Sequence, residues 1–128
     1  MNSTEAAAIY IGLNIALLVV LGAMVVGRRV AARVSLGDGG DDKLNLRIRV
    51  HGNATEYAPA FMVGLFLAAS MGMAVWLVHL LGAAFTLGRL SHAIGLGNGI
   101  APARSIGMVL TWLPMLAVAG LLVWQGLS

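Results

Sequence analysis

A short polar segment in the middle of this otherwise apolar chain carries residue types that could bind and activate a small ligand. Arg49, Asn53 and Glu56 follow one another at i, i+4 and i+7, and Tyr57 is adjacent. On an α-helix this spacing places the first three side chains on one face. That face would offer a cation, an amide and a carboxylate together, which suits a ligand carrying both signs of charge.

Other segments carry polar residues that would lie at the same depth. Arg89 and His92 share a helix face at i, i+3. Arg104 stands at the start of the last apolar segment, and Arg28 and Arg29 follow the first. Ionisable groups within membrane spans are costly, tend to face the bundle interior and often mark functional sites. We therefore predict one polar cluster to which all four apolar segments contribute.

Several cations with one carboxylate and one amide favour a small zwitterion that has surplus negative charge. Arginine side chains match carboxylates with two parallel hydrogen bonds, and Glu56 would hold an ammonium group. An arginine at a helix N-terminus can stabilise a thiolate, and lowering a thiol pKa by two units takes roughly 2.7 kcal/mol. Glutathione is one ligand that has all of these groups.

The same residues also have structural interpretations. Basic residues at helix ends, such as Arg28 and Arg29, commonly extend to the membrane surface and set the topology. Arg49 and Glu56 would then form a structural ion pair, and Asn53 would join two helices by a hydrogen bond worth about 1 kcal/mol. The spacing alone leaves both interpretations open.

No metal site is predicted for this chain. His51, His79 and His92 are not spaced at i, i+3 or i+4 on one helix, and there is no cysteine. The lack of cysteine excludes structural disulfides and a cysteine nucleophile. Any thiol chemistry would therefore use a thiol from a substrate or cofactor.

The composition requires a lipid environment. Of the 128 residues, 59% are hydrophobic and 10% are charged, whereas soluble domains carry about 25% charged residues. Aromatic residues are few and are not interleaved with the cations, so we expect no nucleic-acid partner despite the net charge of +3. The predicted partner is the lipid bilayer.

The distribution of charge predicts four membrane-spanning helices. The first segment, residues 6–27, has no charged residue and would span about 33 Å. The basic pair Arg28-Arg29 follows this segment, whereas a signal peptide would have basic residues before its apolar run. Residues 57–88 have no charged residue, and this run is too long for one span and too short for two. The second helix must therefore begin before residue 57 and the third must continue past residue 88, so each includes charged residues at the end that lies outside the run. We predict an all-α, single-domain bundle over residues 1–128, with four transmembrane helices at roughly 6–27, 46–70, 73–95 and 104–127.

All eight Lys and Arg residues lie in or beside the connections 28–48 and 97–103. Both termini and the turn near residues 70–73 have none. The positive-inside rule therefore predicts that the two basic connections are cytoplasmic and that both termini lie outside.

One segment resembles a known family signature. Arg49-Val-His-Gly-Asn53-Ala-Thr-Glu56-Tyr57-Ala-Pro59 is similar to the R-x-x-x-N-x-x-E-Y-x-P pattern of the MAPEG family, the membrane-associated proteins in eicosanoid and glutathione metabolism. The family includes microsomal glutathione transferases and leukotriene C4 synthase. Weaker matches follow in the expected order over essentially the whole chain: Arg28-Arg29, Gly88-Arg89-Leu90 and Arg104-Ser-Ile-Gly107. The likeness is closest to small bacterial members, which implies the bacterial inner membrane.

The resemblance implies a homotrimer that binds glutathione between adjacent subunits. It assigns the peptide to the four signature residues, Arg49, Asn53, Glu56 and Tyr57. His51 takes a position where some relatives have a glutamine ligand.

The remaining site residues are also implied by the resemblance. Arg28 or Arg29 would meet a carboxylate, His92 would hydrogen-bond the ligand, and Arg104 would stabilise the thiolate that attacks a lipophilic electrophile. Leukotriene synthases have tyrosines where this chain has His92 and Leu96, which argues against leukotriene synthesis.

Three functions are compatible with these features. The first is a glutathione-dependent transferase or peroxidase acting on lipophilic electrophiles. The second is a non-catalytic membrane protein of the same fold that binds a lipid or anionic metabolite, or scaffolds a membrane complex. The third, a small drug exporter, would need a carboxylate deep in a span, whereas the first span offers only Tyr10 and Asn14 as notable polar groups.

Overall fold

Four long helices account for nearly the whole chain, as the apolar segments predict. The computed structural model describes residues 1–128. The connections are residues 33–41, 71–74 and 99–100. The helices are α1 (Ser3–Ala32), α2 (Asp42–Ser70), α3 (Val75–Asn98) and α4 (Ala101–Leu127).

The first helix extends beyond the predicted span at both ends. At its start, the Asn2 side chain accepts a hydrogen bond from the Glu5 backbone N–H, and the Glu5 carboxylate accepts one from the Asn2 N–H, both at 2.8 Å. This reciprocal capping box begins the helix at Ser3. At the other end, Arg28 and Arg29 remain helical, and α1 stops where Arg33 adopts a left-handed conformation with φ of 56°.

Two other helices begin earlier than predicted, and local chemistry explains both starts. The Asp41 carboxylate accepts a hydrogen bond from the Leu44 N–H at 2.7 Å and caps α2, which therefore begins at Asp42 rather than near residue 46. Helix α4 begins at Ala101, and Pro102 occupies its first turn, where a missing N–H costs nothing.

Helices α2 and α3 form the centre of the bundle. Helix α2 packs against all three other helices, whereas α1 and α4 do not contact each other. Near the termini the core is apolar, and the stacked rings of Phe61 and Phe85 lie 3.8 Å apart among Leu65, Val78 and Val118. The polar residues lie nearer the opposite end, which we call the basic end, formed by connections 33–41 and 99–100.

The chain is an integral membrane protein. Helices α1, α3 and α4 are long and apolar enough to cross a bilayer. Helix α2 carries charges in its first half, but it has 29 residues and packs along the other three, so it crosses the same layer. Large apolar side chains such as Val19, Trp76 and Leu116 are exposed on the outside, as lipid contact requires.

Candidate functional site

Glycine residues bring α3 and α4 into close contact beneath the polar cluster. A Cβ added to Gly88 would lie 2.8 Å from the Leu110 carbonyl carbon, and one added to Gly107 would clash with the His92 backbone. A Cβ at Gly95 would clash with the Arg104 backbone. This backbone proximity, which small residues permit in membranes, places the first turns of α4 beside the site residues of α3.

Arg89 is the centre of the polar cluster within one subunit. Its guanidinium donates hydrogen bonds to Asn53 Oδ1 at 2.6 Å and to Thr111 Oγ1 at 3.2 Å. His92 Nδ1 lies 3.4 Å away, and the Tyr57 ring centre lies 5.7 Å from the guanidinium carbon. The structure therefore brings Asn53, Tyr57 and His92 together around a residue that links α2, α3 and α4.

The positive charge of Arg89 has no carboxylate partner. Its side chain is 1% exposed, and its Nε atom is buried without a hydrogen bond. The two ion pairs of the chain join Met1 to Glu5 and Arg28 to Asp41. A buried, unpaired cation is costly, so Arg89 favours an anion in its neighbourhood.

Three other predicted site residues are exposed on the subunit surface. Arg49, Glu56 and Arg104 form no side-chain hydrogen bond or ion pair within the chain, and the structural pair of Arg49 with Glu56 is not formed. Arg49 lies about 6 Å nearer the basic end than Asn53, and Arg104 about 10 Å nearer than Thr111. Both cations are thus on the basic side of Arg89 and free to bind an anion.

His51 lies on a different side of α2 from Glu56. Its imidazole packs against α1, where a Cβ added to Gly22 would lie 3.5 Å from His51 Nε2. The two residues are five positions apart, which corresponds to about 140° around the helix. One subunit therefore does not present both side chains to the same small ligand.

Arg28 and Arg29 are bound to their own loop. Arg28 Nε donates to Asp41 Oδ1 at 3.0 Å, and Arg29 Nη1 donates to the Gly37 carbonyl at 2.7 Å. The hydrogen bonds from Arg28 and from the Leu44 N–H hold the pKa of the Asp41 carboxyl below its usual range. Within the subunit, these arginines organise the α1–α2 connection and do not join the cluster around Arg89.

Sequence reasoning missed one member of the cluster and the role of another. Thr111 is fully buried, and its hydroxyl donates a hydrogen bond to the Gly107 carbonyl at 2.8 Å, which leaves the hydroxyl oxygen free to accept one from Arg89. Its spacing of i+7 from Arg104 was a usable signal. Arg89 was placed in the cluster, but its central position depends on the packing of three helices.

A second polar group lies between α1 and α3, nearer the termini. The Tyr10 hydroxyl is 2.9 Å from His79 Nδ1, so this histidine is packed and hydrogen-bonded. Asn14 donates to Thr86 Oγ1 at 2.9 Å and to the Tyr10 carbonyl at 2.8 Å. These contacts join two helices and include no carboxylate of the kind an exporter would need.

Comparisons with known proteins identify the family of the chain. The model of the MAPEG family matches residues 7–124. The chain is 36% identical over 117 residues to inner membrane protein YecN of Escherichia coli, from strain K12 and from strain O6:H1. Each alignment covers 91% of this chain and 89% of the relative. The chain belongs to the MAPEG family.

Proposed function

We propose that the protein is a glutathione-dependent membrane transferase or peroxidase that acts on lipophilic electrophiles, in a bacterial inner membrane. The observation that carries the proposal is the group of three arginines without anionic partners, Arg49, Arg89 and Arg104, near one exposed carboxylate, Glu56. Neutral or purely cationic ligands would leave these positive charges uncompensated.

The donor set fits glutathione. Glutathione has two carboxylates and one ammonium group, and it supplies the thiol that attacks an electrophile. Arg49 would bind a carboxylate with parallel hydrogen bonds, and Glu56 would hold the ammonium group. The unsatisfied Nε of Arg89 supports a further acceptor close to the cluster.

Arg104 is the residue we assign to thiol activation. It lies in the first turn of α4, where the helix dipole adds to its own positive charge. Both terms favour a thiolate over a thiol and so lower the pKa of a bound sulfhydryl. Trp112 and Leu116 are exposed apolar residues further along α4, so an electrophile dissolved in lipid can approach along the same helix.

A homotrimer is part of the proposal. Arg49, Glu56 and Arg104 point away from their own subunit, and His51 is directed to another side of α2. A site shared between adjacent copies would use all four residues and would bury their charges around the ligand. Closed rings of identical subunits create such heterologous interfaces without leaving one unpaired.

Calorimetric titration of glutathione into the detergent-purified protein tests the proposal. We expect saturable binding, and Arg49→Ala should weaken it by about 10- to 100-fold, the effect of losing a hydrogen bond to a charged group. The matched control is Arg33→Asn, which removes a cation outside the cluster and tolerates the left-handed backbone of that position. Absence of binding at millimolar glutathione would contradict the proposal.

A non-catalytic role in the same fold is the alternative. Its specific support is that Arg28 and Arg29, one of which was expected at a ligand carboxylate, bind Asp41 and Gly37 instead. In that case the cluster would hold another anionic metabolite or a lipid headgroup. Glutathione binding without conjugation or peroxidase turnover across a panel of electrophiles would favour a binding role.

A further inference from the structure

A groove separate from the polar cluster runs between α1, α2 and α3. It has a volume of about 520 Å³, within the range of small-molecule sites. Eight of its twelve lining residues are hydrophobic, and none is acidic. We call it the α1–α3 groove; among its lining residues are Leu17, Leu21, Lys43, Arg47, Ile94 and Asn98.

The groove has a charged rim and an apolar interior. Lys43 and Arg47 lie one turn apart near the start of α2, and Asn98 ends α3 beside the other basic-end connection. Towards the middle of the membrane the lining becomes apolar, with Val50 on α2 and Leu17 on α1. From Lys43 to Val50 the wall extends about 10 Å, most of one leaflet of a hydrocarbon core about 30 Å thick.

The rim cations are available to a ligand. Lys43 is exposed and forms no hydrogen bond or ion pair within the chain. Arg47 donates one hydrogen bond, from Nη1 to the Met24 carbonyl at 2.9 Å, and its other guanidinium nitrogens have no side-chain or carbonyl partner. A positively charged rim over an apolar wall is complementary to a lipid that carries a phosphate in its headgroup and an acyl chain.

We propose that the α1–α3 groove binds an anionic phospholipid, with its phosphate at Lys43 and Arg47 and one acyl chain along Leu17, Leu21 and Val50. A soluble anion would not use the apolar wall. A zwitterionic lipid would bring a third cation to a rim that already has two, and no carboxylate lines the groove to receive it.

This site is distinct from the proposed glutathione site. The groove face of α2 and the face with Arg49, Asn53 and Glu56 point roughly 100° apart around the helix. No residue assigned to glutathione lines the groove. Because α1 contacts only α2 and α3, a lipid in the groove would stabilise the attachment of α1.

Native mass spectrometry and thermal unfolding in micelles doped with phosphatidylglycerol or phosphatidylcholine test the proposal. We expect the protein to retain phosphatidylglycerol preferentially and to unfold at a higher temperature with it. Each surface cation contributes about fivefold to binding of anionic lipid, so Lys43→Gln/Arg47→Gln should reduce the preference by about 30-fold. Arg33→Asn, a cation outside the groove, should leave the preference unchanged.

A second variant tests the acyl-chain part. A Cβ on Gly97 would reach only Val50 Cγ2, at 4.0 Å, so Gly97→Leu can fill the groove without a clash at its Cβ. It should lower phosphatidylglycerol retention while both cations remain. The preference is measured as the retention of phosphatidylglycerol relative to phosphatidylcholine by the same variant. A general loss of stability, such as that from losing the Arg47 hydrogen bond to Met24, affects both lipids equally and does not change this ratio.

Three results would overturn the proposal. The first is equal retention of the two lipids by the wild-type protein. The second is an unchanged preference in the double variant or in Gly97→Leu. The third is equal stabilisation by inorganic phosphate, which would show that no acyl chain is bound. If a second copy of the chain fills the groove, Gly97→Leu will dissociate the oligomer and the lipid preference will be absent.

Discussion

The guanidinium of Arg89 is a buried charge whose hydrogen-bond acceptors, Asn53 and Thr111, are both neutral. Such an arrangement orients the cation without neutralising it, so its electrostatic attraction for an anion persists in a medium of low dielectric constant. Removing Arg89 would also leave Asn53 without its partner and would disturb three helices together. Exposed Arg104, which has no structural contact through its side chain, is the better residue for separating chemistry from folding.

We predict that Arg104→Ala slows conjugation by about 100-fold at neutral pH, the effect of raising the pKa of the glutathione thiol by two units. Because the thiolate is the reacting form, the turnover of the variant should recover as the pH rises, and its pH–rate profile should lie at higher pH than that of the wild type. Stopped-assay turnover with a hydrophobic aryl halide from pH 6 to 9 provides the measurement.

Arg104→Lys is the matched variant, since it keeps the charge and should keep most of the thiolate effect. Gel filtration of each variant in detergent should give the wild-type elution volume. An unshifted pH–rate profile for Arg104→Ala would show that the residue does not activate the thiol.

At the scale of single residues, spacing along one helix indicated which side chains share a face. Contacts between residues on different helices could not be predicted from the sequence. The i, i+4, i+7 pattern singled out Asn53, but it could not distinguish a ligand contact from the hydrogen bond that Asn53 accepts from Arg89. The ion pair of Arg28 with Asp41 depends on how the 33–41 connection folds back. Three glycines in that connection permit positive φ values, so many paths were compatible with the sequence.

At the scale of elements, the contact between α3 and α4 positions the site. We predict that Gly107→Ala destabilises the protein by about 1–3 kcal/mol, because its Cβ would clash with the His92 backbone and the helices would have to separate. The same separation would move Thr111 and Arg104 away from α3. Thermal unfolding in detergent measures the first effect, and glutathione titration measures the second.

Gly120→Ala is the control, because nothing lies within 4 Å of a Cβ at that position of α4. Alanine is the better helix former, so this variant should be as stable as the wild type or slightly more stable. Equal stability of the two variants would show that α3 and α4 are not in backbone contact at Gly107.

The junction of α1 and α2 should respond to acid through Asp41. Since its pKa is lowered by Arg28 and by the Leu44 N–H, the carboxylate stabilises the folded chain above the unfolded pKa of about 3.9, and this contribution is lost as the pH falls through that value and then through the folded pKa. We predict that Asp41→Asn has a lower Tm than the wild type at pH 7 and a smaller further loss between pH 5 and pH 3.

Two comparisons make this prediction specific. Asparagine can still cap α2, so Asp41→Ala should unfold at a lower temperature than Asp41→Asn. Asp42→Asn, which removes a neighbouring exposed carboxylate that has no ion pair, should retain the wild-type response to acid. Identical pH dependence in Asp41→Asn and the wild type would contradict a role for the Arg28 ion pair.

Helix existence was easier to predict than helix ends. Hydropathy indicated four helices because a charge-free run of this length has no other stable form in a bilayer. The ends depend on single capping contacts, such as Asn2 with Glu5 and Asp41 with Leu44. Both capping residues are readable in the sequence, yet Asn2 competes with Ser3 and Thr4, and Asp41 competes with Asp38 and Asp42.

At the scale of the whole molecule, the charge pattern and the fold agree. The two basic connections lie at one end of the bundle and both termini at the other, so a single orientation satisfies the positive-inside rule for all four helices. The rotation of each helix about its axis was not predictable, because apolar residues face both the lipid and the core. That rotation decides which site residues point outwards and hence whether a site needs a second copy.

Because His51 and Glu56 lie on different sides of α2, variants of these two residues can test whether a ligand site is shared between subunits. If one glutathione takes His51 from one subunit and Glu56 from the next, His51→Ala and Glu56→Ala should each weaken every site of a homotrimer. In trimers that mix the two variants equally and at random, about one site in four would combine two intact residues, because each closed ring has one heterologous interface per subunit.

Calorimetry on co-expressed variants carrying different affinity tags should then reveal about a quarter of the wild-type high-affinity sites. If both residues serve the ligand of their own subunit, every subunit in the mixture carries one defect and no high-affinity site returns.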